Sequence, residues 1–282
     1  MQTRTDDEVV AEEGEAEKGL VIERRFTSAG ADPFDAFDWI EMSVEIRNPD
    51  GSLAHEIHGV QLPSGFSGVP GKVCAQKYLR KAGVPAALRK VAEDGVPGWL
   101  QRSEPDHEKL QTLAPEDRFV GETDGRELFR RLAGTWTYWG WTHGYFASEA
   151  DARAFYDEMA YLIASQRSAP NSPQWFNTGL NWAYGITGPA QGHHYVDAVT
   201  GELNLSEDAY THPQPHACFI QSVGDSLVGG TESIMGLWNR EALLFKYGSG
   251  TGSNFSQIRG AGEPLSGGGT SSGLLSFLKI GD

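Results

Sequence analysis

Three groups of residues in this sequence carry reactive or ligand-holding chemistry. The first is Cys218, in PQPHACFIQSVGDSL at 213–227, two places after His216. A thiol can act as nucleophile or reductant, and an imidazole held against it would serve as its base. On an extended strand, however, residues two apart share a face without being held in contact. The thiol reads equally well as a small buried hydrophobe. The second group is His193-His194 with Asp197, which offers metal-ligating types but no second ligand pair at zinc spacing; a solvated loop is the better reading. The third is KYGSGTGSNFSQIRG at 246–260. It is no Walker A loop, because no Gly-Lys-Ser/Thr follows. Gly248 and Gly250 fit a dinucleotide fingerprint, but Ser253 stands where its third glycine belongs. Backbone at Gly250 can approach a ligand closely, with Arg259 near enough in sequence to meet an anion. A tight structural turn is the alternative.

These groups need elements to position them. Pro213 and Pro215 argue against a central strand before His216. The run Ala217-Cys218-Phe219-Ile220 then reads as a buried strand ending in a turn at Gly224-Asp225-Ser226. Thr231 to Lys246 is amphipathic through Ile234, Leu237, Trp238 and Phe245, as a helix requires. Upstream, Met42, Val44 and Ile46 alternate before Asn48-Pro49-Asp50-Gly51, which predicts a hairpin with Ile57 to Leu62 returning. Lys72 to Ala82, enclosing Cys74, and Ala86 to Glu93 read as helices punctuated by Pro85 and Pro97. Glu127 to Leu132 leads helically into WTYWGW at 136–141, whose aromatics read as core ahead of a stacking surface. Ser148 caps a helix that should end near Gln166. NSPQWFNTG at 171–179 reads as a turn anchored by Trp175 and Phe176. Residues 181–212 read as a long irregular connection. The closing LLSFLKIGD begins a helix without a visible cap, which suggests a chain cut short.

Composition narrows the class. At 282 residues, 39% hydrophobic and 22% charged, the chain is long enough for one or two globular domains. A net charge of −15 argues against general affinity for nucleic acid or anionic membranes, while leaving room for a local phosphate pocket. Cys74 and Cys218, the two cysteines, make no disulfide framework and suit a reducing compartment. Asp6, Asp7 and Glu8 stand where a secretory signal needs basic and then apolar residues. No apolar run approaches the roughly 18 residues of a membrane helix. A cytoplasmic protein is expected, with residues 1–20 as a disordered acidic tail.

Taken in order, APNSPQWFNTGL at 169–180, PHACFIQSVGDSL at 215–227, and KYGSGTGSNFSQIRG with SGGGTSSGLLSFLKIGD to the end resemble the adenosylcobalamin-dependent, class II ribonucleotide reductases. The resemblance runs from about residue 32 and is to the N-terminal portion of the large catalytic chain. It implies an α/β fold: an N-terminal, mainly helical region with a small hairpin over 21–165, then over 166–282 the first part of a ten-stranded α/β barrel. It implies thiyl-radical reduction of ribonucleoside diphosphates, with adenosylcobalamin as radical generator and thioredoxin or a similar reductant. Cys218 matches one member of the cysteine pair that becomes a disulfide, and Ser172, Ala217 and Gly250 match positions beside the substrate. Asp225, Ser226, Leu227 and Arg259 match a deoxynucleotide or ATP effector site, which in the family commonly lies at a homodimer interface. No metal site, nucleic-acid binding or membrane contact is implied. The family's radical cysteine sits in an Asn-x-Cys-x-Glu-like motif, and neither that motif nor a second reducing cysteine stands in these 282 residues. Cys74 matches no redox position. The expectation is thus a fragment inactive alone, the rivals being a nucleotide-binding module without catalysis and a glycyl-radical-type barrel enzyme.

Overall fold

A computed structural model describes residues 19–281; apart from its last two residues, the acidic stretch 1–20 lies outside them. Asn48-Pro49-Asp50-Gly51 does close a hairpin. Strands β1 (Trp39–Arg47) and β2 (Leu53–Pro63) pair antiparallel, and Gly51 at φ +85° makes the turn. Val44, Val60 and Leu62 from these strands enter the main core.

The segment expected as a helix over Lys72–Ala82 is shorter and starts earlier. Helix α1 (Val69–Val73) passes into a single π turn, Cys74–Tyr78, closed by Leu79 N–H donating to the Cys74 carbonyl. The chain then leaves the helix because Arg80 finds distant partners. Its N–H donates to Glu122 Oε2, and its carbonyl accepts from Glu122 N–H. Ala86–Glu93 is not a helix either. After β3 (Val84–Pro85), strand β4 (Leu88–Lys90) pairs antiparallel with β5 (Ser103–Pro105). Its backbone is satisfied across the sheet, and Val91 N–H goes on to donate to the Arg102 carbonyl. Tertiary pairing has overridden a short and weak periodicity.

A short α2 (His107–Gln111) and β6 (Phe119–Val120) lead to the central helix, α3 (Gly125–Thr142), which begins at an Asp124/Glu127 capping box and contains all of WTYWGW. Ser148 caps α4 (Glu149–Ala164), and Gln166, at φ 57°, turns the chain just beyond its end. The main core gathers Phe129 and Leu132 of α3, Ile163 of α4 and the hairpin, with Trp175 against them.

NSPQWFNTG is more than a turn. Asn171 caps α5 (Ser172–Asn177), Gly179 at φ +86° reverses the chain, and α6 (Leu180–Tyr184) follows. The connection expected to be irregular also holds a small hairpin, β7 (His194–Val196) with β8 (Leu203–Leu205).

From Cys218 onward the architecture is one β-α-β unit. Strand β9 (Cys218–Ser222) pairs parallel with β10 (Gly250–Asn254), and α7 (Ile234–Lys246) crosses between them. Val223, Ile234, Leu237 and Ile258 form its own small core, with Leu274 and Phe277 of α8 (Leu274–Leu278) against it. Phe245, expected on the buried face of α7, is exposed. No closed barrel forms among the described residues, so the fold is α/β with an incomplete barrel.

Candidate thiol and nucleotide site

Strand β9 corrects one expectation: Cys218 is exposed and Ile220 is 86% exposed, so the apolar run is not buried. The reason is that β10 takes one edge of β9 and α7 reaches it through Arg240 on Gln221 and Ser222, while among the described residues no strand pairs with its other edge. The entry to β9 is fixed by hydrogen bonds. Gln214 Nε2 donates to the His216 carbonyl (2.9 Å) and to Ser249 Oγ (3.0 Å), whose hydroxyl donates to that same carbonyl at 3.0 Å.

Pairing puts Gly250 opposite Cys218, and Gly250 N–H donates to the Ala217 carbonyl at 2.6 Å. A methyl group at Gly250 would sit 3.5 Å from Cys218 Sγ and 3.7 Å from the Ala217 carbonyl oxygen. Gly250 thus leaves open the space beside the thiol. Ala217, Cys218 and Gly250 therefore share one place. His216 does not join them as a base; its ring tilts against Phe219 at 6.0 Å.

Ser172 lies on a different element, in the first turn of α5, with its Oγ 3.5 Å from Tyr78 Oη. Helix α5 approaches the β10 turn through Phe176, whose ring would be 3.8 Å from a methyl group at Gly248. Among the described residues no hydrogen bond joins Ser172 to Cys218.

Asp225 and Arg259, 34 residues apart, are brought into direct contact. Arg259 donates from its backbone N–H to Asp225 Oδ1 (3.1 Å) and from Nε to Oδ2 (2.6 Å), and its Nη1 donates to the Pro264 carbonyl. Those donors hold the Asp225 carboxyl below the usual carboxylate range. Ser226 Oγ donates to the Val228 carbonyl, and the Ser226 and Leu227 carbonyls accept from Ile234 and Met235 at the start of α7. Leu227 is half-exposed beside them.

Several residues that the sequence pattern does not single out hold these groups in position. Arg240 donates from Nε to Gln221 Oε1 (2.7 Å) and from Nη2 to the Ser222 carbonyl (3.0 Å). Glu241 accepts from Thr251 Oγ1 (2.7 Å) and Ser253 Oγ (3.2 Å). Adjacent charges in an otherwise apolar helix were the available signal. Deeper in the chain, buried Arg131 donates to Glu122 Oε1 (2.7 Å) and to the carbonyls of Thr178 (2.7 Å) and Trp175 (2.9 Å), tying α3 to the end of α5. Tyr184 Oη also donates to Glu122 at 2.7 Å. In WTYWGW, Trp136 Nε1 donates to Gln174 Oε1 and Trp141 Nε1 to the Gly95 carbonyl.

Cys74 is a different kind of thiol. It is buried in the main core, and burial together with the nearby Glu122 carboxylate pushes it up to about 12. Asp197 is taken up by its own hairpin turn, accepting from the Val199 and Thr200 N–H groups.

Two family models match this chain: class II vitamin B12-dependent ribonucleotide reductase over residues 40–166, and the ribonucleotide reductase barrel domain over 216–282. The second begins at the β9 entry and covers the thiol, Gly250 and the Asp225–Arg259 pair. The chain belongs to the class II, vitamin B12-dependent ribonucleotide reductase family. It is 61% identical to a vitamin B12-dependent ribonucleotide reductase of Bradyrhizobium diazoefficiens, over 93% of this chain and 21% of that protein. With its namesakes in Agrobacterium fabrum and Rhodopirellula baltica it shares 60% and 33% identity, over 93% and 94% of this chain and 20% and 22% of theirs. The chain thus spans about one fifth of the length of these curated relatives. Membership of this class II ribonucleotide reductase family implies adenosylcobalamin as cofactor. Among the described residues, no helix is long and apolar enough to cross a membrane.

Proposed function

We propose that this chain is the substrate- and effector-holding part of a cytoplasmic enzyme that reduces ribonucleoside diphosphates to deoxyribonucleotides. The observation that carries this reading is the open space left by Gly250 beside the exposed Cys218 thiol. A ribose placed there meets a sulfur on one side and unobstructed backbone on the other. In this reading Ser172 and the Ala217 and Gly250 backbones hold the nucleotide, and Cys218 is one of two thiols that reduce the 2′ position. Two thiols together give up two electrons and two protons; the 2′ oxygen leaves as water and the sulfurs join. Cys74, buried and held protonated, is not the second sulfur. Adenosylcobalamin, when bound, supplies a cobalt–carbon bond whose homolysis starts the radical chemistry.

Asp225, Ser226, Leu227 and Arg259 are proposed to receive a deoxynucleotide or ATP effector, the Asp225 carboxylate accepting from a sugar hydroxyl, with a second copy of the chain facing this surface. Thioredoxin or a similar dithiol restores the pair. Since its 282 residues contain no third cysteine, the chain alone is inactive. The test is Cys218→Ser in a chain extended to the length of its relatives. Nucleotide binding should persist while reduction is lost; unimpaired reduction would favour a nucleotide-binding module in which Cys218 is dispensable.

A further inference from the structure

On the side of β9 that carries Phe219 lies a cavity of about 820 Å3, walled by α7 and by the strap of residues 191–195 and 211–216. None of the substrate or effector residues named above lines it. Its size falls within the range of about 300–1,000 Å3 usual for small-ligand pockets.

The chemistry of its walls is unlike that of the chain around it. The protein carries a net charge of −15, yet among the described residues none that lines the cavity is a carboxylate. Arg240 and the imidazoles of His193, His194, His212 and His216 line it instead. Arg240 spends Nε and Nη2 on β9, which fixes its guanidinium at the wall and leaves Nη1 without a hydrogen bond among the described residues. An anion is the ligand such a wall suits.

Gln221 is 8% exposed, and while its Oε1 accepts from Arg240, its Nε2 has no partner among the described residues. A buried amide donor without an acceptor is costly, and a ligand acceptor would relieve it. Flat rings supply the rest. Tyr195 and His212 stack at 3.7 Å with 5° between their planes. Trp139 alone among the tryptophans of WTYWGW donates its N–H to nothing described, and it lines this cavity with them. Aromatic walls of this kind hold planar heterocycles by stacking.

We propose that this cavity binds a planar heteroaromatic ring joined to a phosphate. Two sources share that chemistry: the nucleotide tail of cobalamin and a free nucleotide. The residues fit either, with Arg240 toward the phosphate, Gln221 Nε2 toward a ring or phosphate acceptor, and the aromatic rings toward the heterocycle. The cobalamin source rests on the cofactor of the proposed function; the nucleotide source does not.

The experiment is equilibrium binding to the full chain, followed by dialysis and by quenching of tryptophan fluorescence. The probes are adenosylcobalamin, cobinamide (the corrin without its nucleotide tail) and ADP. Wild type is compared with Gln221→Leu and Tyr195→Leu, each checked for folding by circular dichroism. Adenosylcobalamin binding that weakens about tenfold in both variants, with cobinamide weaker by at least as much, supports the site and names its source. ADP binding with the same dependence, and no adenosylcobalamin binding, supports the site with a nucleotide as occupant and counts against the cofactor reading. Adenosylcobalamin bound equally by wild type and variants, or no tighter than cobinamide, overturns the site while leaving the cofactor reading intact. Binding of neither probe to the wild type also overturns it.

Discussion

The two cysteines differ in everything but composition. Cys218 lies exposed at the start of β9, whereas Cys74 is buried beside Glu122 with its thiol pushed up to about 12. Because the thiolate is the reacting form, a thiol reagent at pH 8 should label one residue, Cys218, in the folded chain, and Cys74 only after denaturation. Mass spectrometry of the labelled chain checks this, and rapid labelling of both would contradict the burial of Cys74. Where Asp225 meets Arg259, the arginine holds the carboxyl below its ordinary value of 3.8. The contribution of a depressed carboxyl is complete above its unfolded value and is lost as pH falls through the folded one. Deoxynucleotide binding should therefore be insensitive to Asp225 protonation between pH 7 and 5. Asp225→Asn should weaken it about tenfold throughout, the order expected on loss of one charge-assisted hydrogen bond. Calorimetric titration at several pH values reads both.

At the scale of elements, the junction of α3 with α5 and α6 is built around a buried ion pair. Arg131 and Glu122 are buried together, and Arg131 also satisfies the Trp175 and Thr178 carbonyls. Arg131→Met leaves a buried carboxylate without its cation and should cost about 3–5 kcal/mol in urea unfolding. Adding Glu122→Leu should recover part of that loss, since no lone charge remains, while the carbonyls stay unsatisfied. Gly179 faces the same junction: with φ at +86°, a methyl group there would lie 2.4 Å from the Arg131 carbonyl oxygen. Gly179→Ala should cost about 1–3 kcal/mol through overpacking, plus the penalty of left-handed backbone, and denaturant midpoints check it. Since this junction sets the position of α5, both substitutions should also loosen nucleotide binding through Ser172.

At the scale of the whole molecule, three buried clusters stand apart among the described residues: one spans the hairpin, α3, α4 and Trp175, a small one joins Val84 to Leu180 and Tyr184, and the third belongs to the β9-α7-β10 unit. The unit bearing Cys218 keeps one face of β9 exposed, with Ile220 at 86%. The chain incubated with adenosylcobalamin, a dithiol and a ribonucleoside diphosphate should form no deoxyribonucleotide. Chromatographic detection of product would overturn the assignment of Cys218 as half of a pair.

Local chemistry was legible without coordinates. Asn48-Pro49-Asp50-Gly51 encodes its hairpin, Ser148 its cap, and the motifs around Cys218, Gly250 and Asp225 their family, because turn, cap and motif depend on residues close in sequence. The helix expected over Lys72–Ala82 ends at Tyr78, and Ala86–Glu93 forms no helix, because distant partners, Glu122 for Arg80 and β5 for β4, satisfy the backbone there. The buried strand at Ala217–Ile220 failed for the complementary reason. An apolar run states a capacity for burial, and only the elements packed around it settle whether that capacity is used. The Asp225–Arg259 contact, the latch of Arg240 on Gln221 and the Arg131–Glu122 pair likewise come from chain folding, since each joins residues whose spacing in sequence carries no sign of the other.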